Sequence, residues 1–297
     1  AGNEYSAADS PWNSQFSFWL SPYAFIKGAL ANNAVVNSAI MDGKQYAVVT
    51  FALQNRYKVV GYINDQNLVE RVQTWIDSDV LGDMTAEAWY SVYKDFDGVK
   101  FPTMIVEKRA DFPVTILSVS TVRPNAAVNV PPPPAASPNA MAQTASVQTE
   151  KVADGVYYLK GGTHHSVAVE FSGHVVLIEA PLNEQRSLAI ISEVKKLMPD
   201  KPIRYVVNTH HHFDHSGGLR TFVDAGATVV TQETNAKFFA SALSAPRTLN
   251  PDALARSQKK PTIESVTEKK SLSDNLRTLE LHAIRDNPHD DGILIAF

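Results

Sequence analysis

The chain has 297 residues, 44% of them hydrophobic, with a formal net charge of −4 and a pI near 6.1. That length accommodates two ordinary domains, each with its own core, and the mildly acidic balance offers no basic surface for nucleic acid. Cysteine is absent, which removes disulfides, thiolate nucleophiles and thiolate metal ligands, and no apolar run approaches the roughly 18 residues that span a bilayer. The sequence opens on Ala1 without an initiator methionine, so the expectation is an exported protein, periplasmic or secreted, that has shed its leader.

Residues 1–15 are polar and turn-rich, residues 16–22 supply aromatic anchors, and the small residues of 28–33 read as a mobile tip. From Tyr46 onward short β-rich runs recur at 46–51, 57–63, 68–75, 101–107 and 114–119, with turn residues such as Asn64-Asp65 and Asp97-Gly98 between them. This pattern predicts an antiparallel meander forming a curved, half-open sheet. The four tryptophans, Trp12, Trp19, Trp75 and Trp89, are read as core packing in preference to a ligand groove. No cluster of His, Asp or Glu marks this half as catalytic, and its expected role is accessory: substrate presentation, partner docking or dimerisation. Four successive prolines within 130–138, followed by a low-complexity stretch, predict an extended linker. The expected division is therefore a β-rich domain over 1–129, a linker over 130–148 and a second domain over 149–297.

The second domain changes pattern to strands alternating with helices. Strands are predicted at 156–159, 166–171 and 175–178. An amphipathic helix follows over 181–198, carrying Leu188, Ile191 and Val194 on one face and stopped by Pro199. A buried strand at 203–208, a short helix at 219–224, a strand at 227–231 and a helix at 233–243 continue the pattern. The proline-broken, charged stretch 246–270 reads as a loop, and strands are predicted at 276–282 and 293–297.

Between the strand at 203–208 and the next helix stands Thr209-His210-His211-His212-Phe213-Asp214-His215-Ser216-Gly217-Gly218, with four of the nine histidines inside six positions. In extended backbone residues i and i+2 face the same way, so His210 and His212 can grip one cation while His211 faces elsewhere. Asp214 and His215 start a new direction, which allows a second metal position, and the following glycines let the backbone turn tightly beneath the ligands. Imidazole nitrogens with one carboxylate oxygen suit zinc, and iron and manganese accept similar shells.

Residues 208–218 resemble the signature of the metallo-β-lactamase superfamily, and the resemblance extends over about 149–297. It implies an α+β chain: an N-terminal antiparallel curved sheet joined by the proline-rich linker to an αββα sandwich, incomplete at the C-terminus, with the native protein continuing beyond Phe297. It implies a third histidine, His289, at the first metal with His210 and His212, and Asp214 with His215 at the second. A bridging aspartate and a last histidine, normal in that superfamily, are missing from the sequence. Two zinc ions per complete site would activate water against a β-lactam, lactone, ester or thioester carbonyl, with Asp214 orienting the second metal's water. A small-molecule substrate is expected, with no nucleic acid and no transmembrane segment. A dimer or the further C-terminal segment would complete the fold. A mononuclear-iron sulfur dioxygenase and a non-catalytic binding protein are the alternatives. Of His164 and His165, both read as surface or supporting residues, His165 is the better candidate, and Glu179 is placed to hold a metal ligand by hydrogen bond or to cap the next helix.

Overall fold

The computed structural model describes residues 11–127, 129 and 145–297. Two compact units divide the chain, Ala1–Asp77 with Asp83–Ala142 and Ser78–Gly82 with Gln143–Phe297. The linker expected over 130–148 lies outside the described residues as far as 144, and Gln148 already begins a strand.

The first unit opens with two helices, α1 (Trp12–Leu20) and α2 (Pro22–Ala31), followed by seven strands. These are β1 (Val35–Met41), β2 (Lys44–Leu53), β3 (Tyr57–Ile63), β4 (Val69–Ser78), β5 (Gly82–Phe96), β6 (Val99–Arg109) and β7 (Phe112–Ser118). They lie side by side in chain order as one meander, with antiparallel registers such as Val49 opposite Gly61. The turn-rich start expected over 1–15 lies outside the described residues as far as 10, and from Trp12 to Ala31, where turns and then a mobile tip were expected, the chain forms α1 and α2, whose apolar side chains cover the sheet. Trp12, Phe16, Leu20 and Phe25 pack with Val49, Phe51, Val59 and Val72 in one core, and Trp12 stacks on Tyr57 at 4.5 Å. Gly28 lets α2 approach the sheet closely, since a Cβ there would come within 2.7 Å of the Phe51 ring. The long β5 was not predicted, since Asp83, Thr85 and Glu87 interrupt its apolar pattern. Its Glu87 is buried and paired with Arg71 at 2.5 Å. The tryptophans divide: Trp12 is buried, whereas Trp89 is 39% exposed between the cations of Arg71 and Lys108.

In the second unit β8 (Gln148–Ala153), β9 (Val156–Lys160), β10 (Ser166–Glu170) and β11 (Val175–Ile178) run antiparallel. Helix α3 (Glu184–Leu197) then crosses to β12 (Ile203–Val207), parallel to β11. The Asn183 side chain accepts from the Arg186 N–H at the start of α3, Glu184 sits in its first turn and Lys195 and Lys196 in its last, which satisfies free N–H groups and complements the helix dipole. After α4 (Phe213–Ser216) and α5 (Leu219–Asp224) come β13 (Thr228–Gln232), α6 (Glu233–Ser244), α7 (Ala253–Ser257) and β14 (Ile263–Val266). The stretch 246–270, read from its prolines as a loop, thus contains a short helix and a strand parallel to β13. Strands β15 (Lys269–Ser273), β16 (Thr278–Ile284) and β17 (Ile293–Ala296) form a second, antiparallel sheet.

Strand periodicity explains the layering. In β11 to β13 Leu177, Val206 and Val229 face the helices, packing with Ile190, Val194, Phe222 and Phe239. Their neighbours Val176, Val207 and Val230 face the second sheet and meet Leu272, Leu279, Leu281 and Leu294. Both faces of the parallel strands are covered, which is why they read as unbroken apolar runs. Each large apolar side chain fully buried there contributes roughly 1.5–3 kcal/mol. The chain is an α+β protein whose second unit stacks helices, a mixed sheet and an antiparallel sheet, as expected. No helix of the described residues is long and apolar enough to cross a membrane.

Candidate metal centre

The site lies where the parallel strands β11 and β12 end, the edge at which open α/β sheets gather functional loops. Thr209 to His212 leave β12 as a loop with bends at Thr209 and His211, and α4 begins at Phe213 with His212 as its cap. Ser216 Oγ donates to the carbonyls of His211 and His212, both at 2.9 Å, and the Leu294 N–H donates to the Thr209 carbonyl at 2.8 Å. The loop is therefore pinned to both sheets. Gly217 is required because a Cβ would stand 1.9 Å from the Leu182 carbonyl oxygen, a backbone atom with no room to yield.

His210, His212 and His289 offer three ring nitrogens within 4.8 Å of one another. His210 is buried and His289, from the β16–β17 loop, is exposed. The Nε2 atoms of His210 and His289 are 3.2 Å apart, and the His210 Nδ1 faces the Thr209 hydroxyl at 3.0 Å. Burial, reinforced by the neighbouring imidazoles of His215 and His212, pushes the His210 ring down to about 4, so it is neutral with a lone pair to give at pH 7. His211 does face elsewhere: its Nδ1 lies 2.7 Å from the buried Asp290 carboxylate.

His164, Asp214 and His215 form a second group of donors within 4.8 Å. Asp214 Oδ2 is 2.9 Å from His164 Nε2. His165, preferred from the sequence, is used elsewhere: its Nδ1 accepts the Gly161 N–H at 3.2 Å and its ring meets Tyr158 edge-on.

Glu179 holds the loop by hydrogen bonds, while the helix that follows it, α3, is capped by Asn183 instead. The Glu179 Oε2 lies 2.6 Å from His215 Nδ1, and its Oε1 accepts the Thr209 N–H at 2.7 Å. The hydrogen bond to Glu179 outweighs burial and raises the His215 pKa. Glu179 sits at φ +72°, a left-handed conformation that costs a side-chain-bearing residue roughly 1–2 kcal/mol. It is held there by its N–H to the Val207 carbonyl and its own carbonyl to Ser166 Oγ. Such strain persists only where surrounding contacts fix it, commonly at functional sites. Replacing Glu179 by alanine is expected to free the His215 ring and weaken metal binding there by about 10- to 100-fold. Competition with a chromophoric chelator measures this, and unchanged affinity would remove Glu179 from the centre.

A sequence model of the metallo-beta-lactamase superfamily matches residues 159–241. Among solved structures, a metallo-beta-lactamase from Pontibacter korlensis is 17% identical, with 51% of this chain and 66% of that one covered and a TM-score of 0.39. One from Cronobacter sakazakii is 25% identical, covering 51% and 57%, with a TM-score of 0.39. The metallo-beta-lactamase SMB-1, in complex with mercaptoacetic acid, is 18% identical, covering 52% and 58%, at 0.40. The chain thus spans 57–66% of the length of these structures. No curated protein matches it significantly. The matched segment runs from the end of β9 into α6 and holds the whole histidine loop, so the likeness to the metallo-beta-lactamase superfamily falls on the residues that carry the candidate ligands.

Proposed function

We propose that the second unit is a zinc-dependent hydrolase acting on the carbonyl of a small molecule: a β-lactam, lactone, ester or thioester. The observation that carries the reading is the 3.2 Å between two ring nitrogens, His210 Nε2 and His289 Nε2. Two imidazole donors on one tetrahedral zinc at about 2.0–2.1 Å stand about 3.3 Å apart, so the pair is set at the spacing that such an ion requires. His212 closes the same triad, and an all-nitrogen shell of three histidines leaves a fourth corner open.

Zinc, when bound, lowers the pKa of a coordinated water to about 7 and polarises a carbonyl oxygen. The chain's own groups prepare the site for that chemistry. Burial keeps His210 neutral. Asp214 and His215 place a carboxylate and a further ring beside the first triad, with the His210 and His215 rings 4.1 Å apart between centroids. Asp290 fixes His211 outside the triad. An open groove lined by His211, His212, Thr234, Asn235, His289 and Asp291 leads to the donors, and its polar walls suit a small polar substrate.

The test is metal analysis of protein purified without added metal, followed by chelation. Zinc is expected, with turnover of a panel of β-lactams, lactones and esters falling more than about 100-fold on chelation and returning with zinc in the absence of oxygen, as loss of a Lewis acid predicts. Iron near one per chain, with oxygen uptake and no anaerobic hydrolysis, would overturn the reading in favour of redox chemistry.

A further inference from the structure

We propose that His164, carried by the β9–β10 turn, is the third protein ligand of a second metal position whose other donors are Asp214 and His215. The inference rests on the metal-centre reading above and extends it to a residue on a different element from the histidine loop. His164 Nε2 stands 2.9 Å from Asp214 Oδ2, its ring meets the His215 ring edge-on at 5.1 Å, and one donor atom from each residue lies within 4.8 Å of the others. Something positive must sit between a ring nitrogen and a carboxylate oxygen at that distance, either a proton or a cation. A cation with bonds of about 2.0–2.1 Å needs the two donors to separate by only about 0.4 Å.

The turn is built to present this ring. The Thr163 hydroxyl lies 2.9 Å from His164 Nδ1, so its oxygen can accept the Nδ1–H and leave the Nε2 lone pair aimed at Asp214, the outer-partner arrangement that fixes a ligand's tautomer. The base of the turn is anchored by Arg186, 3% exposed, whose guanidinium donates to the Ser146 and Leu159 carbonyls at 3.1 and 2.9 Å. Gly161 packs against that guanidinium where a Cβ would come within 2.4 Å of Nη1, and Gly162 has φ +65°. The His215 ring is already oriented by Glu179 through Nδ1, which leaves its Nε2 as the free donor. The shell is therefore two imidazoles and one carboxylate, a set that zinc accepts. The ligand bonds tie the β9–β10 turn to the histidine loop, so an occupied second position also closes that side of the centre.

Cobalt(II) titration of the 297-residue chain and of His164→Ala tests this, because cobalt reports ligand number by its d–d absorption without any need for turnover. The unaltered chain is expected to take up two equivalents. The variant should bind the first, at His210, His212 and His289, with unchanged affinity and spectrum, and bind the second at least about ten-fold more weakly with an altered band. The intact first equivalent shows that the variant is folded. If the variant binds the second equivalent with unchanged affinity and spectrum, or if the unaltered chain binds only one, His164 is an ion-pair partner of Asp214 and the proposal is overturned while the hydrolase reading stands. If the unaltered chain binds no metal, both fall.

Discussion

Replacing His210 and His212 together by alanine is expected to remove the first metal equivalent and to lower hydrolysis by at least about 1,000-fold, roughly 4 kcal/mol of barrier, the scale of losing a Lewis acid and its activated water. The two residues supply two of three donors in the triad with His289, and one remaining exposed imidazole cannot hold the ion. His210 is also buried, so the double variant opens space beneath the loop, and circular dichroism must first show that it is folded. His282→Ala is the matched control: that ring lies in β16, bonded to Glu280 at 3.1 Å, and its loss should change neither metal content nor turnover. Full metal retention in the double variant would sink the assignment of the loop, whatever the activity.

The centre was legible because metal ligation compresses chemistry into sequence. His210, His212, Asp214 and His215 fall within six positions, and the apolar run before them can only be a strand covered on both faces. His289 was legible only through the resemblance, since a lone histidine in an Asn-Pro loop carries no periodic signal. His164 was harder still: its role depends on how the β9–β10 hairpin folds over the loop, which no local pattern encodes. The misses in the first unit have a common cause. Helices α1 and α2 lack charged first turns and side-chain cap bonds, and the one start signal, Pro22 at the first position of α2, reads as readily as a turn, so what makes them helical is the sheet they cover. Strand β14, similarly, was hidden by Pro261, which cannot join a ladder itself but sits just before the strand begins at Ile263.

The largest expected loss of stability comes from a residue that makes no contact with the metal donors. Asp252, 4% exposed, caps α7 through the Ala255 N–H at 2.7 Å and pairs with two buried arginines. Arg220 reaches Oδ1 with Nη2 at 3.0 Å, and Arg247 reaches Oδ2 with Nη1 at 3.0 Å. Burial alone would push the Asp252 carboxyl up, but hydrogen bonds from Arg220, Ala255 and Arg247, with the Arg220 charge, reverse this and hold it at about 2. A folded-state pKa below the unfolded value of roughly 3.9 means that the carboxylate's contribution, roughly 2–3 kcal/mol by linkage, is complete above about pH 5 and is lost progressively as pH falls from there through the folded value. Asp252→Ala removes more than that, because Arg220 loses its carboxylate partner and Arg247 keeps only the longer 3.7 Å pair with Asp79, and breaking a buried ion pair from one side costs roughly 3–5 kcal/mol. For a unit of this size, about 2–4 °C of melting temperature per kcal/mol predicts a fall of roughly 10 °C at pH 7. The difference between Asp252→Ala and the unaltered chain should shrink as both are melted at successively lower pH towards 2, since the native carboxylate is then protonated too. A gap in melting temperature that stays constant from pH 7 to pH 2 would show that Asp252 acts through shape and its α7 cap, not through its charge.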